Sequence, residues 1–573
     1  MGKEIKLSGV YINIIESESV KKWQKELEEI RLTLKALREQ LVKLKVKVPE
    51  RKPAVVPIGV KEVKISDVVE PFVWDYEDRL KFQKTRCKFG ITGVCCKICA
   101  MGPCRIAPKS KRGICGATET TMIARNLIRM LAIGASVYAD YGRAAVRKFG
   151  MNVEKDIVPE MDKLSSLYSV FNIAQQDDTN DVAERTRQLI SMVSGEFGKQ
   201  HGQLNIIGYV KDNLKDIWNK LDIIPRAIDR EIVELMHRTN MGVDQELDNI
   251  IMCGLRVALA GSLGGAFIAA HIDDMLQRDI SRKGVKFLLN VLDKNALNIL
   301  VSQDKVDAFY NAASDKEIMQ LCKEMYISKI NLISLPEYYT VSEFMVMTGA
   351  VDGIVVNEDI PLATLMIADC YHTQMFSYQE LNIAGIKKIQ DEKVVLKEII
   401  LGVVNRGCVV IPDREIYIEE DKYVLDKDIL TSNIKGIAVV LSCNPDHTEL
   451  IKHLIQHDIL VYYVGCGSLS LADKGLFSSD TISLAGQKLA DLCKTKNMLP
   501  CSYVGTCMDM SKLIFTLSTH KDIAVPVICI IPEWMGEKLL TMAFSTVCCG
   551  VNTVVGKELW VSGSNEVVEL LTK

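Results

Sequence analysis

Residues 86–105 read Arg-Cys-Lys-Phe-Gly-Ile-Thr-Gly-Val-Cys-Cys-Lys-Ile-Cys-Ala-Met-Gly-Pro-Cys-Arg, and residues 112–116 continue Arg-Gly-Ile-Cys-Gly. In shorthand the six cysteines run C-x7-C-C-x2-C-x4-C-x10-C. This spacing suits iron–sulfur ligation rather than disulfides. A cubane cluster takes thiolates at its corners, usually four, and a C-x2-C pair lets one turn supply two of them. Gly90, Gly93, Gly102, Gly113 and Gly116 let the chain curl around an inorganic core where a Cβ would often clash. Pro103 stiffens the turn before Cys104. Cys96, Cys99, Cys104 and Cys115 make a complete set, and Cys87 and Cys95 remain as a pair. Half a set is natural in a symmetric dimer, where a cluster on the two-fold axis takes two thiolates from each subunit. A zinc site would use similar turns. Six ligands with an adjacent Cys-Cys pair suit two clusters better than one tetrahedral ion.

Composition sets the frame around that run. The chain has 573 residues, 48% hydrophobic and 25% charged, with a formal net charge of -3. That length suggests three or four domains. A near-neutral charge gives no electrostatic case for nucleic acid or an anionic membrane. The 18 cysteines do not belong to a small secreted disulfide scaffold. The opening Met-Gly-Lys-Glu-Ile-Lys is no signal peptide. The most lipid-like segment, 257–270, is short and glycine-rich, which predicts a buried helix and no membrane span. A cytoplasmic protein of a reducing, low-oxygen setting is expected.

Val20, Trp23, Leu27, Ile30, Leu34, Leu37, Leu41 and Leu44 recur at steps of three and four. They form a heptad seam, capped at Ser17 or Ser19 and stopped at Pro49. It reads either as a coiled coil, within a dimer or with a partner protein, or as an amphipathic helix on the chain's own body. From about 66 to 270 the pattern is mostly helical, for example over 120–137 and 179–197. After about 284 short apolar runs alternate with helical stretches: 296–301, 330–335, 353–356, 436–441, 459–464, 503–504 and 525–531. Such alternation predicts two parallel sheets of βαβ units, dividing near Lys427. No G-x-G-x-x-G or P-loop follows these strands, so nucleotide binding is not indicated.

Ligands of open parallel sheets bind beyond the carboxyl ends of the strands. Cys443, Cys466 and Cys507 all follow expected strands of the last domain, so they can converge on one point. Cys253, Cys322, Cys408, Cys493, Cys529 and Cys548 read instead as small buried hydrophobes.

With these residues assembled, the chain resembles the catalytic subunit of anaerobic nickel–iron carbon monoxide dehydrogenase, over nearly everything after the heptad seam. The matching stretches are the cysteine run, Cys370-Tyr-His-Thr373, Ser442-Cys-Asn-Pro445, Val464-Gly-Cys466, Gly505-Thr-Cys-Met-Asp509 and Pro532-Glu-Trp-Met-Gly-Glu-Lys538. The resemblance implies a homodimer that exchanges electrons with a low-potential carrier such as ferredoxin. The implied fold class is α plus α/β: a helical cluster-binding domain followed by two Rossmann-like domains. The expected boundaries are 1–58 for the N-terminal extension, 59–280, 281–426 and 427–573. One [4Fe-4S] cluster would be shared through Cys87 and Cys95, and one per subunit held by Cys96, Cys99, Cys104 and Cys115. Cys443, Cys466 and Cys507 map to three cysteines of the active nickel–iron cluster, and Lys538 to a lysine used with bound substrate.

The chain departs from the family at the middle domain. Where the family has a ligand histidine and two ligand cysteines, this chain reads Asn298-Ile-Leu-Val-Ser-Gln-Asp304, Ile330-Asn-Leu-Ile-Ser-Leu-Pro-Glu337 and Val355-Val-Asn-Glu-Asp-Ile360. Asp304, Glu337 and Asp359 are the candidate replacement donors there, each also readable as a solvated loop or cap residue. Where the family has a histidine proton relay, this chain has Tyr138 and Tyr141. Tyrosine titrates near ~10 and does not shuttle protons at neutral pH as imidazole does. Carboxylates suit oxygen-bridged iron, and the related hybrid-cluster proteins carry such a cluster and reduce hydroxylamine. The leading expectation is therefore an oxidoreductase with a third, nickel-free iron–sulfur or iron–sulfur–oxo cluster and a small-molecule substrate. The alternatives are a genuine carbon monoxide dehydrogenase with altered ligands, and a non-catalytic electron-transfer or scaffold subunit.

Overall fold

The structure is a computed structural model. It describes residues 87–154, 161–173, 181–276, 291–335, 339–357, 361–381, 385–407, 425–443, 447–465, 467–521, 523–556 and 559–570, single positions at 79, 83, 383, 409 and 411, and short strands at 3–7, 10–14, 55–56 and 63–64. The heptad seam, Cys466, Glu337 and Asp359 lie outside the described residues. The chain forms two compact units, one gathering 1–20, 86–283 and 418–573, the other 21–85 and 284–417.

The first unit is built on one helix of 36 residues, Glu119–Glu154. It runs well past the 120–137 stretch marked by its periodicity. It is buried on more than one side, with Ile123, Leu127, Leu131, Tyr138 and Phe149 almost fully enclosed. One side meets the apolar helix Leu247–Leu259, which passes through a π-helical segment, Ala260–Ala266, into Phe267–Leu276. Residues 247–275 are long and apolar enough to cross a membrane, but 89% of their apolar window is buried inside the protein. This is the buried helix that glycine-rich 257–270 predicts. Its glycines serve close approach: a Cβ on Gly265 would stand 2.5 Å from the Tyr138 carbonyl oxygen, and one on Gly261 would stand 2.8 Å from Ala135 Cβ. On another side, a Cβ on Gly134 would meet the Glu537 carbonyl oxygen at 2.4 Å. The helix Glu537–Cys548 therefore lies with its backbone against the long helix.

The unit also contains a five-stranded sheet ordered 501–505, 459–464, 436–441, 527–531, 552–555. All its pairings are parallel. The strand 436–441 is buried throughout, as expected of a central strand covered on both faces. Numbered along the chain, the order is 3-2-1-4-5. It reverses between 436–441 and 527–531, the topological switch point where such sheets bind ligands.

The second unit carries another parallel five-stranded sheet, ordered 386–388, 374–377, 351–356, 297–301, 330–334. Its order is 2-1-3-4-5, and the reversal falls between 297–301 and 351–356. Two apolar layers sandwich this sheet. Ile299, Val301, Phe309, Val355 and Ile399 lie on one face, and Leu300, Val346, Ile354, Val356 and Leu365 on the other. The helical domain and two parallel sheets give the expected α plus α/β class.

Candidate functional site

The cysteine run folds as a chain of tight turns in front of the long helix. Cys95–Cys96 pairs antiparallel with Cys104–Arg105, placing Cys96 opposite Cys104. Cys96, Cys104 and Cys115 pack in one cluster with Ala117 and Met122. Asn126, two turns into the long helix, anchors the run by donating to the carbonyls of Gly93 at 2.8 Å and Cys95 at 2.9 Å. Gly93 has φ +81°, and a Cβ there would strike the Trp560 carbonyl oxygen at 2.2 Å.

The electrostatics of this run favour the thiolate at Cys87 and Cys115. Arg125 is almost completely buried, and its Nε has no hydrogen-bond partner. Burial works against the Cys115 thiolate, but the Ala117 N–H and the Arg125 guanidinium outweigh it and lower the pKa. Cys87 is exposed, and its pKa is lowered by the N–H groups of Gly90 and Phe89. Cys96 moves the other way, because burial dominates. A buried cation beside Cys96 and Cys115, with an unsatisfied N–H, suits an anionic iron–sulfur cluster.

Cys443 and Cys507 meet at the carboxyl edge of the 436–441 sheet, with their Sγ atoms 3.6 Å apart. Cys443 is half-buried and Cys507 buried. Each rests on a built turn. Ser442, before Cys443, has its hydroxyl 3.0 Å from His447 Nε2 and donates its N–H to the Val464 carbonyl at 3.0 Å. Around Cys507, Asp509 Oδ2 accepts from the Thr506 N–H at 2.8 Å and the Thr506 hydroxyl at 3.1 Å. Gly505 enters this turn at φ +146°, and a Cβ there would collide with Asp509.

Lys538 follows the neighbouring strand 527–531, on the other side of the switch point. It lies in the first turn of Glu537–Cys548. Its Nζ donates to the Tyr141 hydroxyl at 3.3 Å, and its carbonyl accepts from the Tyr138 hydroxyl at 3.1 Å. Both tyrosines that stand where the family has relay histidines are thus engaged with the lysine. Sequence reading singled out all three residues but gave no sign that they touch. The signal lies in a separation of about 400 positions, which no local pattern carries.

The corresponding edge of the second unit is different. Among the described residues after its strands stand Ser302, Asp304, Ser334, Leu335 and Asn357, with no cysteine or histidine. Asp304 is exposed, accepts from Asn357 Nδ2 at 2.8 Å and lies 3.4 Å from Lys305 Nζ. Cys370 and His372 precede the strand 374–377 and so belong to the opposite edge. There His372 Nε2 lies 2.9 Å from Asp352 Oδ1, and Arg406 grips both oxygens of that buried carboxylate. Asp352 also accepts the Asn298 N–H at 2.8 Å. This network fastens strand starts together, and sequence reading missed it.

Among the described residues, no group of three or more histidine, cysteine or acidic side chains stands close enough to hold a single ion. Cys253 is pushed up to about 11 by burial, and Cys529 and Cys549 to about 12, as expected of inert buried thiols. A cleft of about 730 Å3 opens in the helical region. It is lined by Asp229, Arg230, Glu234, His237, Arg238 and Asp244 among others, and no cysteine reaches it.

Known proteins with the same architecture carry related chemistry. The chain is 32% identical to carbon monoxide dehydrogenase 1 of Methanosarcina acetivorans, over 87% of this chain and 89% of that protein. It is 26% identical to carbon monoxide dehydrogenase 1 of Carboxydothermus hydrogenoformans, over 87% and 90%. Among solved structures, the nickel-free, as-isolated carbon monoxide dehydrogenase of Thermococcus sp. AM4 superposes with a TM-score of 0.77. It is 29% identical, and the match covers 88% of this chain and 89% of that one. A family model described as Prismane/CO dehydrogenase matches residues 94–573, and the chain belongs to that family.

Proposed function

We propose that this chain is an iron–sulfur oxidoreductase that passes electrons through two cubanes to a modified, nickel-free third centre. There it reduces a small oxidised molecule such as hydroxylamine. Cys96, Cys99, Cys104 and Cys115 hold one cubane, and Cys87 and Cys95 give half the ligands of another, shared in a homodimer. Cys443, Cys466 and Cys507 supply the sulfur of the third centre, and Asp304, Glu337 and Asp359 are the oxygen donors that the sequence offers where the family has its remaining ligands. These groups supply one-electron transfer when bound.

The single observation that carries this reading is the donor contrast between the two sheet edges. Two cysteine sulfurs touch at one carboxyl edge, while the described residues of the other offer only hydroxyl, amide and carboxylate groups. A soft nickel site needs thiolate and imidazole; oxygen donors favour harder metals. The surroundings of Lys538 support the same reading. Its ammonium sits against the Tyr141 phenol, which helps to fix the position of the cation. Lys538 then acts as a localised positive charge and proton donor to a small polar substrate. Reducing hydroxylamine to ammonia and water takes two electrons and two protons, so a proton held at Nζ has a use.

The test is anaerobic purification with elemental analysis, followed by viologen assays. Expected are iron without nickel, oxidation of reduced viologen on adding hydroxylamine, and no viologen reduction by carbon monoxide. One nickel per chain with robust carbon monoxide turnover overturns the proposal in favour of carbon monoxide dehydrogenase. Iron confined to the two cubanes, with neither activity, overturns it in favour of an electron-transfer subunit.

A further inference from the structure

We infer that the loop between Cys104 and Cys115 is the docking face for an acidic electron-carrier protein, which exchanges electrons directly with the cubane whose ligands flank that loop. This rests on the reading that Cys96, Cys99, Cys104 and Cys115 hold that cubane. The 32 residues 87–118 carry six cations, Lys88, Lys97, Arg105, Lys109, Lys111 and Arg112, and no carboxylate, in a chain whose formal net charge is -3. All six are exposed, and among the described residues none of them is in an ion pair.

Compensation of thiolate charge does not account for all six. Lys97 and Arg105 act on Cys87, and the buried Arg125 acts on Cys96 and Cys115. Lys109, Lys111 and Arg112 are not among the main groups acting on those thiols. They sit instead on a stiff loop. Pro108 and Lys109 form a tight turn closed by paired backbone bonds, from the Ala107 N–H to the Ser110 carbonyl at 3.2 Å and from the Ser110 N–H to the Ala107 carbonyl at 2.8 Å. The proline ring fixes φ at the tip. Arg112 Nη1 donates to the Gly116 carbonyl at 2.9 Å and closes the return to Cys115.

Apolar side chains stand beside the cubane's cysteines. Met101, between Cys99 and Cys104, is 54% exposed, and Ile114, next to Cys115, is 60% exposed. Apolar contacts with a charged rim make a protein interface. A small, electrostatically steered one suits a carrier that must leave again. Nucleic acid fits less well, because single strands stack their bases on aromatic rings. The one aromatic ring of 87–118, Phe89, lies under the Arg105 guanidinium at 4.2 Å. A second copy docked loop to loop would set like charges together. An acidic protein surface satisfies both the charge and the apolar contacts. One electron leaves the carrier and enters the cubane; no bond forms or breaks and no proton moves.

The test uses the full chain, purified anaerobically, and a strongly acidic bacterial-type ferredoxin. Carbodiimide joins ferredoxin carboxylates to the lysines they touch, and mass spectrometry locates the links. Links at Lys109 and Lys111 are expected; links confined to other lysines overturn the docking face. A chain with Lys109→Glu and Lys111→Glu should bind ferredoxin at least about tenfold more weakly by calorimetry at low ionic strength. The difference should shrink at high salt. Its iron content, and its rate of reduction by reduced methyl viologen, should not fall below the parent's; if they do, the links mapped on the parent chain decide. Equal affinity in the two chains overturns the docking face. So does tighter binding of the parent to a single-stranded oligonucleotide or to anionic vesicles than to ferredoxin. A parent chain without iron overturns the cubane reading and the docking with it, whereas iron without ferredoxin binding overturns the docking alone.

Discussion

The two parallel sheets of this chain are close relatives in design and unlike in chemistry. Each has five strands, and each reverses its order beside its first strand. At the reversal of one, the chain places Cys443 and, across the switch point, Lys538. At the reversal of the other, it places Asp304 and Asn357, hydrogen-bonded to each other at 2.8 Å. The second sheet keeps its buried ionic cluster at the opposite end, where Asp352, His372 and Arg406 lock strand starts. The same topology thus serves a reactive edge in one case and a structural clamp in the other. Fold fixes where a site can be; the residues at the strand ends decide whether one is there.

Four variants would break or sharpen that contrast. Asp352→Ala should have the largest effect, since it leaves the Arg406 guanidinium without its carboxylate. A loss of about 3–5 kcal/mol is expected, as for breaking a buried ion pair, read by denaturant unfolding. Metal content should not fall in the fraction that stays folded; a fall would show that the strand-start clamp also shapes the carboxyl edge. Gly505→Ala attacks the reactive edge. The collision with Asp509 and the φ of +146° should cost about 2–3 kcal/mol and reduce the metal bound at Cys507. Intact metal binding would mean that the turn tolerates rearrangement.

His271 offers a pH test near that same edge. Burial lowers its pKa to about 3, with Lys512 lowering it further and Asp509 opposing. The unfolded chain therefore takes up a proton that the folded one refuses between about pH 6.5 and 3. Stability from this group is present above pH 6.5 and is lost as the pH falls, at most about 1.4 kcal/mol per pH unit. His271→Gln should flatten that part of the stability profile; an unchanged slope would assign the acid sensitivity elsewhere. Asp304→Asn should do least. It alters an exposed group, so a stability change within about 0.5 kcal/mol is expected, with iron lost from the third centre but not from the cubanes. Unchanged iron would remove Asp304 from the oxygen donors.

Legibility in the sequence tracked the distance between interacting residues. The cysteine run could be read because its sulfurs lie within one short stretch and its glycines punctuate it. The central strands could be read because they are unbroken apolar runs. The strands 386–388 and 552–555 escaped because they are edges, short and partly polar, as Lys387 and Lys388 illustrate. The strand 374–377 escaped because four residues carry too little periodicity. The π-helical stretch 260–266 reads as a poor helix former; its glycines are explained only by the backbone they touch. The contact between Lys538 and two tyrosines of another helix follows from packing alone.

The long helix has one more consequence. It begins just after Cys115 and reaches Tyr141 some 22 residues later, a rise of about 33 Å at about 1.5 Å per residue. Glycine contacts on two of its sides pin it like a splint. Within one polypeptide, Asn126, which holds the cysteine run, and Tyr141, which meets Lys538, are kept about 22 Å apart along this stiff spacer.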